Sequence, residues 1–160
     1  MVERSSSRWK PIAVAAAATM FVASLGASVT DLGPWYQNLV QPSWKPPDLL
    51  FGPAWTIIFG LVAASAVSAW RASPERQDRE WVVGLFSFNG LLNLAWSALF
   101  FRVKRPDWAL WEVVPFWLSV LALVVFCARR SRNASLLLVP YLVWVAFAGA
   151  LNAAVVSLNR

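Results

Sequence analysis

The sequence contains no histidine and one cysteine, Cys127, and only 14% of its residues are charged. Without histidine there is no Ser–His or Cys–His nucleophile system, no usual haem axial ligand, and the commonest general base is missing. One cysteine closes no internal disulfide, so a secreted disulfide scaffold is excluded. The eight acidic residues are scattered over loops, so no metal site is expected. Low charge also excludes a disordered tail and a nucleic-acid module, and no nucleic-acid partner is expected.

What fills the space is apolar. Hydrophobic residues make up 59% of the 160. A soluble domain runs nearer ~45–50% apolar and ~25% charged. A globule of this length cannot hide so much apolar surface from water, so the solvent is a lipid bilayer. Uncharged stretches run over 11–30, 49–70, 81–101, 113–128 and 133–159. At about 1.5 Å per residue the four longer ones cross a hydrocarbon core of about 30 Å. The shortest reaches span length if Glu112 sits at an interface, with Trp108 and Trp111 as anchors. The expected fold is an all-α integral membrane bundle of five transmembrane helices. They lie near 11–30, 52–71, 81–101, 109–128 and 134–158, in one membrane domain covering 1–160.

A charged head followed by an apolar run, with small residues at Ser24–Ala27, also describes a signal peptide. The run continues to Thr30, long enough to span, so the first helix is read as retained. Net charge is +6, and in a membrane protein it reports topology. Arg4, Arg8, Lys10, Arg71, Arg76, Arg79, Arg129, Arg130 and Arg132 fall on one side. Lys45, Arg102, Lys104, Arg105 and Arg160 fall on the other. The positive-inside rule places the N-terminus in the cytoplasm. A helical bundle suits a cytoplasmic membrane, with an outer membrane as the alternative.

The segment 31–51 stands apart. It carries Pro34, Pro42, Pro46 and Pro47, so no regular helix fills it. It also carries Trp35, Tyr36, Trp44 and Phe51. A stiff, apolar loop belongs either over the mouth of the bundle as a lid or dipped among lipid headgroups. Of the eleven tryptophans, Trp9, Trp70, Trp81, Trp108 and Trp111 lie at helix ends and form an aromatic belt. Trp96 and Trp144 lie within spans, and Trp55 starts one beneath the loop.

Two stripes could carry function. Asn89, Asn93 and Trp96 share one face of the third span at i, i+4 and i+7. They make either interhelical hydrogen bonds or the polar floor of an apolar cavity. Tyr141, Trp144, Ala148 and Asn152 share a face of the fifth, with the small Ala148 leaving either a recess or a packing surface. Such a cavity suits a flat aromatic ligand, with indole faces for stacking and amides for its rim. Lys45 in the loop either meets an acidic substituent at the mouth or is simply solvated, as an exposed lysine commonly is. Small residues at four-residue spacing (Ala15, Thr19, Ala23, Ala27; Gly60, Ala64, Ser68, Ala72; Ala146, Ala150, Ala154) allow close helix contact, within the bundle or in a homodimer.

Three segments carry a family resemblance. Trp35-Tyr36-x-x-Leu39-x-x-Pro42-x-Trp44-x-Pro46-Pro47-x-x-x-Phe51-x-Pro53-x-Trp55 resembles the first-loop signature of the TspO/translocator protein family. These are the tryptophan-rich sensory proteins, related to the peripheral-type benzodiazepine receptor. Leu92-Asn93-x-x-Trp96-x-x-x-Phe100-Phe101 is similar to its third helix. Pro140-Tyr141-Leu142-x-Trp144-x-x-Phe147-Ala148-x-x-Leu151-Asn152 is similar to its fifth. The resemblance implies a homodimeric five-helix bundle whose first loop caps a cavity for porphyrins such as protoporphyrin IX. By the same resemblance Trp35, Trp44, Trp55, Asn89, Asn93, Trp144 and Ala148 line that cavity, and the residues themselves add Trp96 and Tyr141. Binding for sensing, regulation or transport is the expected function, with no cofactor required. The alternatives are light-dependent porphyrin breakdown, for which Trp35 and Trp144 are the matching positions, and a purely structural or partner-binding role. No tyrosine follows Asn152 as in animal relatives, so sterol recognition by that route is not expected and a bacterial-type protein is.

Overall fold

The computed structural model describes residues 3–160, with side chains from residue 9 onward. The side chains of Arg4 and Arg8, counted in the topology above, lie outside the described residues. Six α-helices follow one another: α1 Glu3–Val29, α2 Pro34–Gln37, α3 Phe51–Arg71, α4 Arg76–Ser97, α5 Pro106–Ala128 and α6 Arg132–Leu158. Five of them, all but α2, are long and apolar enough to cross a membrane. The protein is therefore an all-α, multi-pass membrane bundle.

Helix starts and stops follow local chemistry. Pro34 and Pro106 stand at the first positions of α2 and α5, where a missing N–H costs nothing. Ser131 caps α6 by accepting from the Ala134 N–H at 3.3 Å. Pro115 and Pro140 remain inside continuous helices, on their outward faces. α4 does not end at Ser97 but widens into a π turn over Ala98–Arg102. Lys104, at φ 59°, then reverses the chain into α5.

The core runs along α5 and α6, which pack antiparallel. Val113, Phe116, Val120, Leu123 and Cys127 meet Leu138, Tyr141 and Val145, all nearly inaccessible. Ser65 of α3 ties to α6 by donating to the Ala134 carbonyl at 2.7 Å. α1 packs on α3 and α4 as a member of the bundle, with Gly90 of α4 lying against Val22. It has no fully buried residue among those described, so most of its surface is left for lipid. The belt tryptophans Trp9, Trp81, Trp108 and Trp111 turn outward, between 52% and 81% exposed. Trp70 is covered by the Arg79 guanidinium at 5.1 Å.

The 31–51 segment is ordered, and part of it is helical: α2, and a 3₁₀ turn at Asp48–Leu50. Proline at the first helical position lets four residues coil where a longer helix is barred. Two ties hold the segment. Tyr36 donates its hydroxyl proton to Asp48 Oδ1 at 2.8 Å, and Lys45 pairs with the same oxygen at 2.6 Å. At the far end of α6, Asn159 accepts from the Val40 N–H and donates to the Val40 carbonyl, both at 2.9 Å.

Candidate ligand-binding site

Three spans meet at one hydrogen-bonded node. Asn89 of α4 donates to Ser119 Oγ of α5 at 2.8 Å. Tyr141 of α6 donates its hydroxyl to Asn89 Oδ1 at 3.0 Å and accepts from Asn93 Nδ2 at 3.3 Å. Asn89 is 3% exposed, Asn93 4% and Tyr141 2%. An unpaired amide in an apolar bundle is costly, and here each amide has found a partner on another helix. The interhelical reading of the asparagine stripe thus holds, and it recruits Ser119, which the sequence had not marked. A second tie lies nearer the loop. Trp96 Nε1 donates to Asn152 Oδ1 at 3.2 Å, and Asn152 Nδ2 donates to the Pro106 carbonyl at 2.9 Å.

Beside the node stands an aromatic wall. Trp55 meets Tyr141 at 6.2 Å between ring centroids and Trp144 at 6.3 Å, both edge to face. Trp144 continues to Phe51 at 5.7 Å and Phe147 at 5.4 Å. Trp44, half exposed in the loop, sets its edge on Phe147 at 6.0 Å. The indole nitrogens of Trp144 and Trp117 are buried and have no hydrogen-bond partner among the described residues. A buried indole N–H normally finds one. Trp144 therefore keeps an unspent donor in the wall.

Trp35 stands elsewhere. It packs edge-on against Phe100 at 6.2 Å, with Trp96 stacked on that ring at 5.5 Å. Tyr36 and Phe101 complete this second cluster at 5.7 Å. The expectation of Trp35, Trp44, Trp55 and Trp144 around one space is thus resolved into two aromatic groups, with Trp96 packed against both. The cause is the π turn: its extra residue brings Phe100 and Phe101 under the loop, where Trp35 and Tyr36 take them as partners. Those two phenylalanines of the second cluster, with Phe51 and Phe147 of the wall, are the aromatic partners that tryptophan counting missed. Each lay inside a quoted motif.

Lys45 is paired with Asp48. Its ammonium also lies 5.1 Å over the Tyr36 ring. Burial pulls its pKa down, but the hydrogen bonds to Asp48 and Tyr36 outweigh that and raise it. The Tyr36 hydroxyl is raised chiefly by burial. Between the loop and the end of α6 lies a recess of about 370 Å³, lined by residues 40–44 with Ala154, Ser157 and Leu158. Among the described residues no group of three His, Cys, Asp or Glu could hold a metal ion. The site's chemistry is therefore stacking faces, one free indole donor and neutral amides, suited to holding a flat ring system.

Comparison with known proteins agrees with this architecture. The model of the TspO/MBR family matches residues 12–158. The tryptophan-rich protein TspO of Chlorobaculum tepidum is 41% identical over 125 residues, 78% of this chain and 79% of that one. Protein CrtK of Rhodobacter capsulatus is 34% identical over 146 residues, 89% of this chain and 91% of the relative. The human translocator protein is 32% identical over 119 residues, 74% and 70% of the two chains. A match along nearly the whole chain, on the bundle and loop just described, means that the chain belongs to the TspO/MBR family.

Proposed function

We propose that this protein binds porphyrin-type tetrapyrroles, of the protoporphyrin IX class, against the Trp55–Trp144–Phe147–Trp44 wall beneath its proline-stiffened loop. The single observation that carries the reading is the unspent Trp144 N–H, buried in a continuous run of aromatic faces. Flat rings gain stacking from such a wall, and the free donor fixes an acceptor at the rim. Ala148 lies one turn beyond Trp144 and is incompletely buried, so a ring has room beside it. Relatives bear the names tryptophan-rich sensory protein and translocator protein, and binding serves sensing, regulation or transport here. The small-residue ladders support a homodimer. That of α1 lies partly within the bundle, whereas Gly60 and Ala64 of α3 and Ala146 and Ala150 of α6 face outward. The cytoplasmic membrane is the proposed location.

The test is a dark titration of detergent-purified protein with protoporphyrin IX, followed by tryptophan quenching. Trp144→Ala weakens binding severalfold, since a stacked indole contributes about 0.5–1.5 kcal/mol beyond area burial. Trp9→Ala, on the belt, leaves affinity unchanged. Equal losses from both variants refute the placement.

A further inference from the structure

Glu112 is a carboxyl group inside a span, and both of its oxygens are buried without a hydrogen-bond partner among the described residues. It lies six residues into α5, about 9 Å from the helix start. Such a group is costly in an apolar bundle unless something pairs with it, and membrane proteins keep intramembrane carboxyls for function.

Its surroundings follow from the node. Asn89, Ser119 and Tyr141 join α4, α5 and α6 at one depth. Two turns from each, about 10.5 Å nearer the loop, come Trp96, Glu112 and Ala148. A residue seven positions away returns to the same helix face, so all three face the same inter-helix space as the node. The α5–α6 register agrees, since Val113 sits against Gly149 at 3.4 Å from an added Cβ, placing Glu112 beside Ala148. One layer thus combines a stacked indole, a small residue and an unpaired acid. Among the described residues nothing in the layer neutralises the acid. Residues 81–101 of α4 and 133–158 of α6 carry no charge. Asp107 of α5 is held by Arg105 at 2.5 Å. Tyr141 has its hydroxyl engaged at the node.

We propose that Glu112 is a ligand-contacting acid of this site, recognising a basic ring nitrogen on a flat apolar molecule held between Trp96 and Ala148. The inference rests on the ligand-site reading above and adds the chemical class. One proton is shared between the carboxyl oxygen and the ligand nitrogen, so no charge enters the bundle unpaired.

The probes are acridine and its carbon isostere anthracene, which differ by one ring nitrogen. Wild-type protein binds acridine about tenfold more tightly, the worth of one hydrogen bond to an ionisable group, and bound acridine shows the emission of its protonated form. Glu112→Leu removes the preference and that emission while keeping anthracene affinity. Glu112→Gln, which donates an N–H but yields no proton, loses the protonated emission in a bundle of unchanged shape. Equal affinity for the two tricycles in wild type, or a preference that survives in Glu112→Leu, overturns the assignment. Protoporphyrin IX titrated into the same preparations separates the two levels. Porphyrin binding without acridine preference refutes Glu112 alone, and failure of every ring system to bind refutes the ligand site itself.

Discussion

Replacing Tyr141 by phenylalanine removes one oxygen and orphans two buried groups. Asn89 Oδ1 loses the hydroxyl that donates to it at 3.0 Å, and Asn93 Nδ2 loses its acceptor at 3.3 Å. Leaving a buried polar group unsatisfied costs about 1–3 kcal/mol in general. Interhelical hydrogen bonds in bilayers measure lower, about 0.6 on average and about 1.7 at most, because the unfolded spans also find partners. With two groups stranded at under 5% exposure, the expected loss is about 1–2 kcal/mol. Asn89→Leu strands the other side of the same bond, since Ser119 still donates to the Phe116 carbonyl at 2.7 Å. The double variant therefore costs less than the sum of the two, with a coupling of at least about 0.5 kcal/mol. Unfolding by sodium dodecyl sulfate in mixed micelles, followed by circular dichroism, supplies all four corners of the cycle. Strict additivity, or a Tyr141→Phe loss below about 0.5 kcal/mol, refutes the node as the element that fixes the three helices in depth.

Other outcomes follow from the same structure. Ala148→Thr adds two heavy atoms to the Trp96–Glu112 layer, so porphyrin affinity falls while the apo melting temperature moves little; the reverse pattern removes Ala148 from the site, overpacking elsewhere costing about 1–3 kcal/mol. No atom lies within 4 Å of a Cβ added at Gly60, so Gly60→Leu leaves the folded monomer intact and abolishes cross-linking through Ala64→Cys in a Cys127→Ser background, if α3 makes the dimer; the same logic with Ala150→Cys tests α6. Lys45 and Tyr36 have raised pKa values, so their contribution to loop order is complete below their ordinary values, about 10–10.5, and is lost as pH rises through the higher folded ones. The protection of the loop amides, the base-catalysed rate of a free amide divided by the exchange rate at the same pH, is accordingly flat from neutral pH to about 10 and falls only beyond, and a loss of protection near pH 8 refutes the latch.

Apolar runs made the five spans legible, because lipid demands them regardless of tertiary detail. The start of α1 was not legible, since polar residues before Lys10 continue the helix outside any hydrophobic constraint. Helical spacing disclosed Asn89, Asn93 and Tyr141, but not Ser119. A serine in a span commonly satisfies itself on its own helix, as Ser119 does through Phe116, and gives no outward sign. The pairing of Lys45 was not legible either. Its partner Asp48 stands only three residues on, and that local pairing outranks a distant ligand. The division of the tryptophans into two groups depended on where the loop crosses the bundle and on the π turn at 98–102, neither of which leaves a periodic trace. Glu112 was visible as a lone acid beside two tryptophans; the burial of both its oxygens was not.

Fluorine resonances test the central claim most directly, because all eleven tryptophans report at once. Protein labelled with 5-fluorotryptophan, its lines assigned by single Trp→Phe variants, is recorded in the dark before and after saturation with protoporphyrin IX. Shifts confined to Trp44, Trp55, Trp96 and Trp144, with Trp9, Trp81 and Trp111 unmoved, are the predicted result. Shifts confined to the outward belt, with the wall silent, contradict the account.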